Sequence, residues 1–174
     1  PLKLAGGAAK IIERLTSDGD PVKLPAGLTA LLRPYQKRGY AWLYKNARLA
    51  MGSILADDMG LGKTVQTIAL ILKLKEEGVI GKNKALVIVP TTLATNWAKE
   101  IKKFAPSLKY HIYHGQAREL KRKNIDLLIT TYGILRNDIN DFLDIKWALA
   151  AADEAHNIKN PAAAQTQALK KIDA

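Results

Sequence analysis

Ile54-Leu55-Ala56-Asp57-Asp58-Met59-Gly60-Leu61-Gly62-Lys63-Thr64 is the stretch on which the reading of this chain turns. A short apolar run over 52–56 leads into two closely spaced glycines, and a helical pattern starts at Lys63. Glycine reaches backbone conformations closed to other residues, so Gly60 and Gly62 permit a tight turn whose N–H groups converge. A helix that begins at once after the turn adds the positive end of its dipole. Such a turn suits phosphate. Lys63 is placed to reach the terminal phosphates of a nucleoside triphosphate, and the Thr64 hydroxyl to ligate Mg2+. Asp58, Met59, Gly60, Leu61 and Gly62 supply the rest of the candidate cradle. Asp57 stands where the first glycine of G-x-x-x-x-G-K-[ST] is usual.

Working outward, strand-like runs are predicted at 52–56, 85–90, 109–113, 126–131 and 147–152. Helical periodicity covers 34–46, 63–77, 93–104 and 163–172. In the first of these helices Tyr35, Gly39, Trp42 and Leu43 are expected to share a face. Strands separated by helix-length segments imply right-handed βαβ units and a parallel sheet flanked by helices. The fold class is α/β. The run Trp147-Ala148-Leu149-Ala150-Ala151-Ala152 sits where a buried strand is expected, yet alanine is a poor strand former. Residues 1–27 read as a linker or the tail of a preceding region, with a short helix over 8–15 and a glycine- and proline-bearing linker over 17–27. Residues 28–174 form the nucleotide-binding unit.

A phosphate cradle needs a carboxylate partner. Asp153-Glu154-Ala155-His156 follows the alanine-rich run, with Asp153 placed to hold Mg2+ and Glu154 to orient and deprotonate an attacking water. A solvated acidic turn is the alternative for any isolated Asp-Glu pair. The chain of 174 residues carries 27 Lys and Arg against 16 Asp and Glu, a net charge of +11. That excess favours polyanionic partners. Lys102, Lys103, Lys121, Arg122 and Lys123 are candidate contacts, with a solvated basic face as the alternative. No cysteine is present, which excludes disulfides and thiolate metal sites and fits an intracellular protein. His111 and His114 lack a third ligand nearby and so make a poor metal pair. No apolar run approaches the roughly 20 residues of a membrane-spanning helix.

Taken together, these motifs resemble those of the Swi/Snf-type ATPases within helicase superfamily two. Asp153-Glu154-Ala155-His156 is a DEAH-type box, and Asp57 to Thr64 resembles the family's motif I, with Asp58 where Glu is frequent. Leu32-Arg33-Pro34-Tyr35-Gln36, with Gly39 and Trp42, resembles the adenine-recognition segment, which implies that Gln36 hydrogen-bonds the adenine edge. Val87 to Leu93, with Asn96, Trp97 and Glu100, resembles motif Ia, and Leu128-Ile129-Thr130-Thr131-Tyr132 resembles motif Ib. In the family these two motifs grip the nucleic-acid backbone, which points to Thr91, Thr92, Thr131 and Tyr132. Hydroxyls at helix N-termini suit phosphate as well, although plain helix capping is the alternative. Asn157-Ile158-Lys159-Asn160-Pro161 also matches and adds Lys159 as a nucleic-acid contact.

The resemblance spans 28–173 and implies a RecA-like P-loop NTPase lobe that uses ATP and Mg2+. It implies a sheet incomplete at its C-terminal end, because the chain stops before the motif III strand and before a second RecA-like lobe. The function so implied is a DNA-stimulated ATPase that translocates on double-stranded DNA and remodels protein–DNA complexes. The isolated chain should hydrolyse ATP negligibly, since the family's arginines come from the second lobe. A strand-separating DNA or RNA helicase lobe, or a nucleotide-gated DNA-binding module without turnover, are the alternatives. The expected location is intracellular, in cytoplasm or nucleoid in a prokaryote and in the nucleus in a eukaryote, with no membrane partner.

Overall fold

Lys84–Val89 (β1) is apolar at every position after Lys84 and buried on both faces, as a central parallel strand must be. Its Val87 pairs with Ile129 of Leu127–Thr131 (β3) on one side. On the other side Val87 pairs with Ala151 of Trp147–Ala152 (β4). Tyr110–Ile112 (β2) lies outside β3, so the all-parallel sheet has the order β2-β3-β1-β4. The computed structural model describes residues 22–58, 60–115 and 118–174. The helix expected over 8–15, most of the linker over 17–27, and Met59 lie outside them.

Side chains alternate across a strand, and the helices divide accordingly. Ala85, Val87 and Val89 face Ile71 and Leu74 of Lys63–Glu76 (α2) and Trp97 and Ile101 of Ala94–Phe104 (α3). Leu86 and Ile88 face the opposite layer, in which Leu135, Phe142 and Ala168 come from Tyr132–Asn137 (α4), Ile139–Leu143 (α5) and Ala164–Lys170 (α6). Pro34–Arg48 (α1) packs on the outside of α2, where Leu32 and Tyr40 meet Val65 and Ala69. Pro34 opens α1 with the fixed φ suited to a first helical turn, and Lys45 and Arg48 complement its C-terminal dipole. The RecA-like α/β arrangement read from the sequence is the one observed.

Two expectations need correction. The run over 52–56 is not a strand: residues 51–58 have no regular secondary structure, and Ile54 is 78% exposed. A strand requires a hydrogen-bonded neighbour. Among the described residues β4 pairs only with β1, and nothing pairs with 52–56. Trp42 does not share the inner face of α1, which is formed by Gln36, Tyr40, Leu43 and Asn46; Trp42 is 43% exposed. The short helices α4 and α5 were not foreseen. The alanine-rich run does form β4, because the ladder to β1 and the packing of Trp147 override alanine's weak preference. The register shifts by one residue beside Lys84 and Ala85, leaving Ala148 as a bulge.

Candidate nucleotide site

The loop between residue 56 and α2 turns on Gly60 and Gly62, both at φ +80°. Gly62 is the N-cap of α2 in the left-handed conformation, which only glycine adopts without strain. Helix α1 pins this loop. Gln36 Nε2 and the Tyr35 hydroxyl both donate to the Leu61 carbonyl, at 3.0 and 3.2 Å. Gln36 Oε1 accepts from the Arg33 amide at 2.8 Å, so both ends of the amide expected to read adenine are already engaged within the protein. A Cβ on Gly62 would run into Gln36 Nε2, so this turn and this glutamine fit only with glycine between them.

Lys63 folds over its own loop, Nζ donating to the carbonyls of Asp57 at 2.7 Å and Asp58 at 3.0 Å. Gln66, one turn further into α2, is fully buried and donates from Nε2 to Asp57 Oδ2 at 3.1 Å. Sequence reasoning passed over Gln66. A polar residue facing inward on a helix otherwise lined with Ile and Leu was the available signal.

Asp153 and Glu154 follow β4, beside the C-terminal end of β1: the Asp153 amide donates to the Ile88 carbonyl at 2.8 Å. Asp153 Oδ1 accepts the Glu154 amide at 2.9 Å, and Oδ2 accepts the Trp97 indole N–H at 2.7 Å. The Tyr132 hydroxyl donates to the Asp153 main-chain carbonyl at 2.5 Å. Burial raises the Tyr132 pKa first, with Asp153 and Glu154 adding to the effect, so the phenol stays a donor. Glu154 holds φ +54°, a left-handed conformation uncommon outside glycine, and its Oε2 lies 3.2 Å from His156 Nδ1. Asn157 Nδ2 donates to the Glu154 carbonyl at 3.0 Å.

Lys63, Thr64, Asp153 and Glu154 line one cleft of about 260 Å³, with Trp97 and Glu100 on its wall. Beside it, Gln36, Gly62, Asn96, Glu100 and Lys103 line a larger space of about 460 Å³. Glu100 borders both. Burial pushes its carboxyl pKa up, the Asn96 hydrogen bond pulls it down, and Asp153 pushes it up again. The donor set fits a magnesium-bound triphosphate: an ammonium, a hydroxyl, two carboxylates and a glycine turn at a helix N-terminus.

The expected nucleic-acid residues divide. Thr91 and Thr92, on the 3-10 turn Thr91–Leu93 after β1, are exposed, as is Lys159 after the turn Ala155–Ile158. Thr131 and Tyr132 correct the expectation, being only 3% and 5% exposed. Thr131 Oγ1 caps α4 by accepting the Ile134 amide at 3.4 Å, and Tyr132 points at Asp153. Neither side chain faces solvent. Among the described residues no cluster of three or more potential ligands could hold a metal through His111 and His114.

A family model described as "SNF2-related domain" matches residues 35–174. The putative ATP-dependent helicase/translocase YwqA of Bacillus subtilis is 38% identical over 86% of this chain and 17% of its own length. Helicase SWR1 of Cryptococcus neoformans is 43% identical over 82% of this chain and 12% of its own length. Among solved structures, the Sulfolobus solfataricus SWI2/SNF2 ATPase core in complex with dsDNA superposes with a TM-score of 0.82 at 38% identity. That match covers 88% of this chain and 32% of the other. The chain thus spans a third or less of the relatives it matches. No helix among the described residues is long and apolar enough to cross a membrane.

Proposed function

Because the chain belongs to the SNF2-related domain family, we propose that it is the ATP-binding lobe of a DNA-stimulated ATPase that moves along duplex DNA and remodels protein–DNA complexes. One observation carries this reading: Lys63 and Thr64 share a cleft with Asp153 and Glu154. The solved relative bound to dsDNA supports the choice of DNA. Exposed Thr91, Thr92 and Lys159 are the side chains we assign to the nucleic-acid backbone.

In this reading, the amides of the 58–64 turn and the Lys63 ammonium hold the β- and γ-phosphates. Thr64 and Asp153 would hold magnesium, which would supply positive charge against the phosphate oxygens. Glu154 orients a water and takes its proton. Gln36 meets adenine in the larger space beside the cleft, giving up one of its two bonds to do so. Stabilising the transferring phosphoryl group commonly needs an arginine as well. We assign that arginine to a second RecA-like lobe of the full-length protein, so this lobe alone should hydrolyse ATP negligibly. Among the described residues nothing pairs with the outer edge of β4 or with the run over 52–56, which supports a place there for the motif III strand that the resemblance implies. Its place is inside the cell, wherever DNA and ATP meet.

Phosphate release by the full-length protein, compared with duplex DNA, single-stranded DNA and RNA, tests the reading. Stimulation by duplex above the other two is the expected result. Preference for single strands or RNA would favour a strand-separating helicase, and DNA binding without turnover would favour a nucleotide-gated binding module.

A further inference from the structure

Asp153 is held by three donors from three different parts of the chain, and two of them stand at the starts of helices that follow other strands. Trp97 is 2% exposed in the first turn of α3, the helix that leaves β1 through the exposed Thr91 and Thr92. Its indole N–H, a donor with no acceptor capacity, ends on Asp153 Oδ2 at 2.7 Å. Tyr132 is the first residue of α4, which leaves β3, and its hydroxyl ends on the Asp153 carbonyl at 2.5 Å. Movement at the start of α3 therefore acts on the Asp153 carboxylate, and movement at the start of α4 acts on the backbone that carries it. Each carboxylate oxygen can accept two bonds and here accepts one, so both keep a lone pair for a cation or its water.

We infer that Trp97 and Tyr132 are positioning residues that tie the starts of α3 and α4 to Asp153, which would hold magnesium, and that α3 carries the link to nucleic acid because it leaves β1 through the exposed Thr91 and Thr92. The inference rests on the functional reading above and deepens it: it names the bonds by which duplex DNA and magnesium nucleotide sense one another. Linkage is reciprocal. DNA changes nucleotide affinity by the same factor by which nucleotide changes DNA affinity.

The test is an equilibrium one on the full-length protein. Affinity for a fluorescent, non-hydrolysable ATP analogue with Mg2+ is measured with and without duplex DNA, and DNA affinity with and without the analogue. Wild type should show the same coupling factor in both directions, on the order of tenfold. Trp97→Phe keeps the ring and loses only the N–H. It should bring the factor close to one while leaving DNA affinity without nucleotide unchanged. Tyr132→Phe, which removes a single hydroxyl, should lower the factor as well and stands in if Trp97→Phe fails to fold. A variant that keeps the wild-type factor, or a wild type whose factor is one, overturns the inference. If duplex DNA does not stimulate phosphate release by the wild type, the functional reading falls. Stimulated release with unchanged coupling in both variants removes the linkage alone.

Discussion

The Lys63 ammonium donates to the Asp57 carbonyl at 2.7 Å, so the side chain expected to hold phosphate closes its own loop instead. The adjacent bond to Asp58 at 3.0 Å completes the closure. A triphosphate entering the cleft replaces two charge–carbonyl bonds with stronger charge–charge ones, and the exchange favours binding. Lys63→Ala removes both states at once. Turnover by the full-length protein should fall by at least about 100-fold, the usual scale for removing a preorganised charge from the transition state. Steady-state phosphate release checks it, and near-normal turnover would remove Lys63 from the proposed chemistry.

Glu154→Gln separates binding from chemistry. The side chain keeps its shape but cannot take a proton, while the φ +54° backbone stays supported by the Asn157 bond to the Glu154 carbonyl. Nucleotide affinity should hold, and turnover should drop by roughly 100- to 10,000-fold, the range that general-base catalysis contributes. Comparing analogue binding with single-turnover hydrolysis decides it. A variant that still hydrolyses at the wild-type rate sinks the assignment of the base.

How much of this was legible in the chain follows from how local each signal is. The strands at 84–89 and 127–131 declare themselves because burial on both faces favours the apolar runs Ala85 to Val89 and Leu127 to Ile129. The run over 52–56 carries a similar signal and fails, because pairing is a property of the neighbour and not of the run. The loop around Lys63 and the pair Asp153-Glu154 are legible as motifs, since phosphate and magnesium demand particular groups at particular spacings. The bond from Trp97 to Asp153 is not: 56 positions separate the two, and a tryptophan on the inner stripe of α3 reads as core. The same holds for Tyr132 and Thr131, whose hydroxyls suggested a ligand and turned out to serve the protein's own backbone.

Gly39 sits mid-helix, where glycine costs about 1 kcal/mol relative to alanine. The reason is Gln66. A Cβ on Gly39 would fall on Gln66 Oε1, a buried oxygen with no hydrogen-bond partner. Gly39→Ala should therefore destabilise by about 1–3 kcal/mol through overpacking. With Gln66→Ala already in place the clash is gone, and the same change should stabilise through helix preference. A double-mutant cycle by chemical denaturation measures the reversal, and additive effects would show that the two residues do not meet.

His111 supplies a pH test away from the cleft. Burial lowers its pKa, with Arg122 lowering it further: the guanidinium lies 3.2 Å from His111 Nδ1. The folded state thus resists a proton that the unfolded chain accepts near pH 6.5. As pH falls through that value the unfolded state binds more protons, so stability declines until the folded imidazole is also protonated. His111→Gln should flatten the stability profile between about pH 7 and 5, read by denaturant midpoints at each pH. An unchanged slope would place the acid sensitivity elsewhere.

The two groups of candidate nucleic-acid contacts occupy opposite ends of the sheet, and this decides between them. Lys121, Arg122 and Lys123 precede β3, at the end where strands begin, and Lys84 Nζ donates to the Arg122 carbonyl there at 2.5 Å. Thr91, Thr92 and Lys159 follow strand ends, on the side of the cleft. DNA that communicates with magnesium nucleotide should lie on the second side. Each phosphate contact contributes about 0.9 to the slope of log affinity against log salt. Lys159→Gln in the full-length protein should lower that slope by about one contact, and replacing Lys121, Arg122 and Lys123 together by Gln should leave it unchanged. Titrations of duplex DNA across a salt series measure both. A slope lost with the triple variant and retained with Lys159→Gln would move the DNA to the other end of the sheet, and with it the route by which it reaches Asp153.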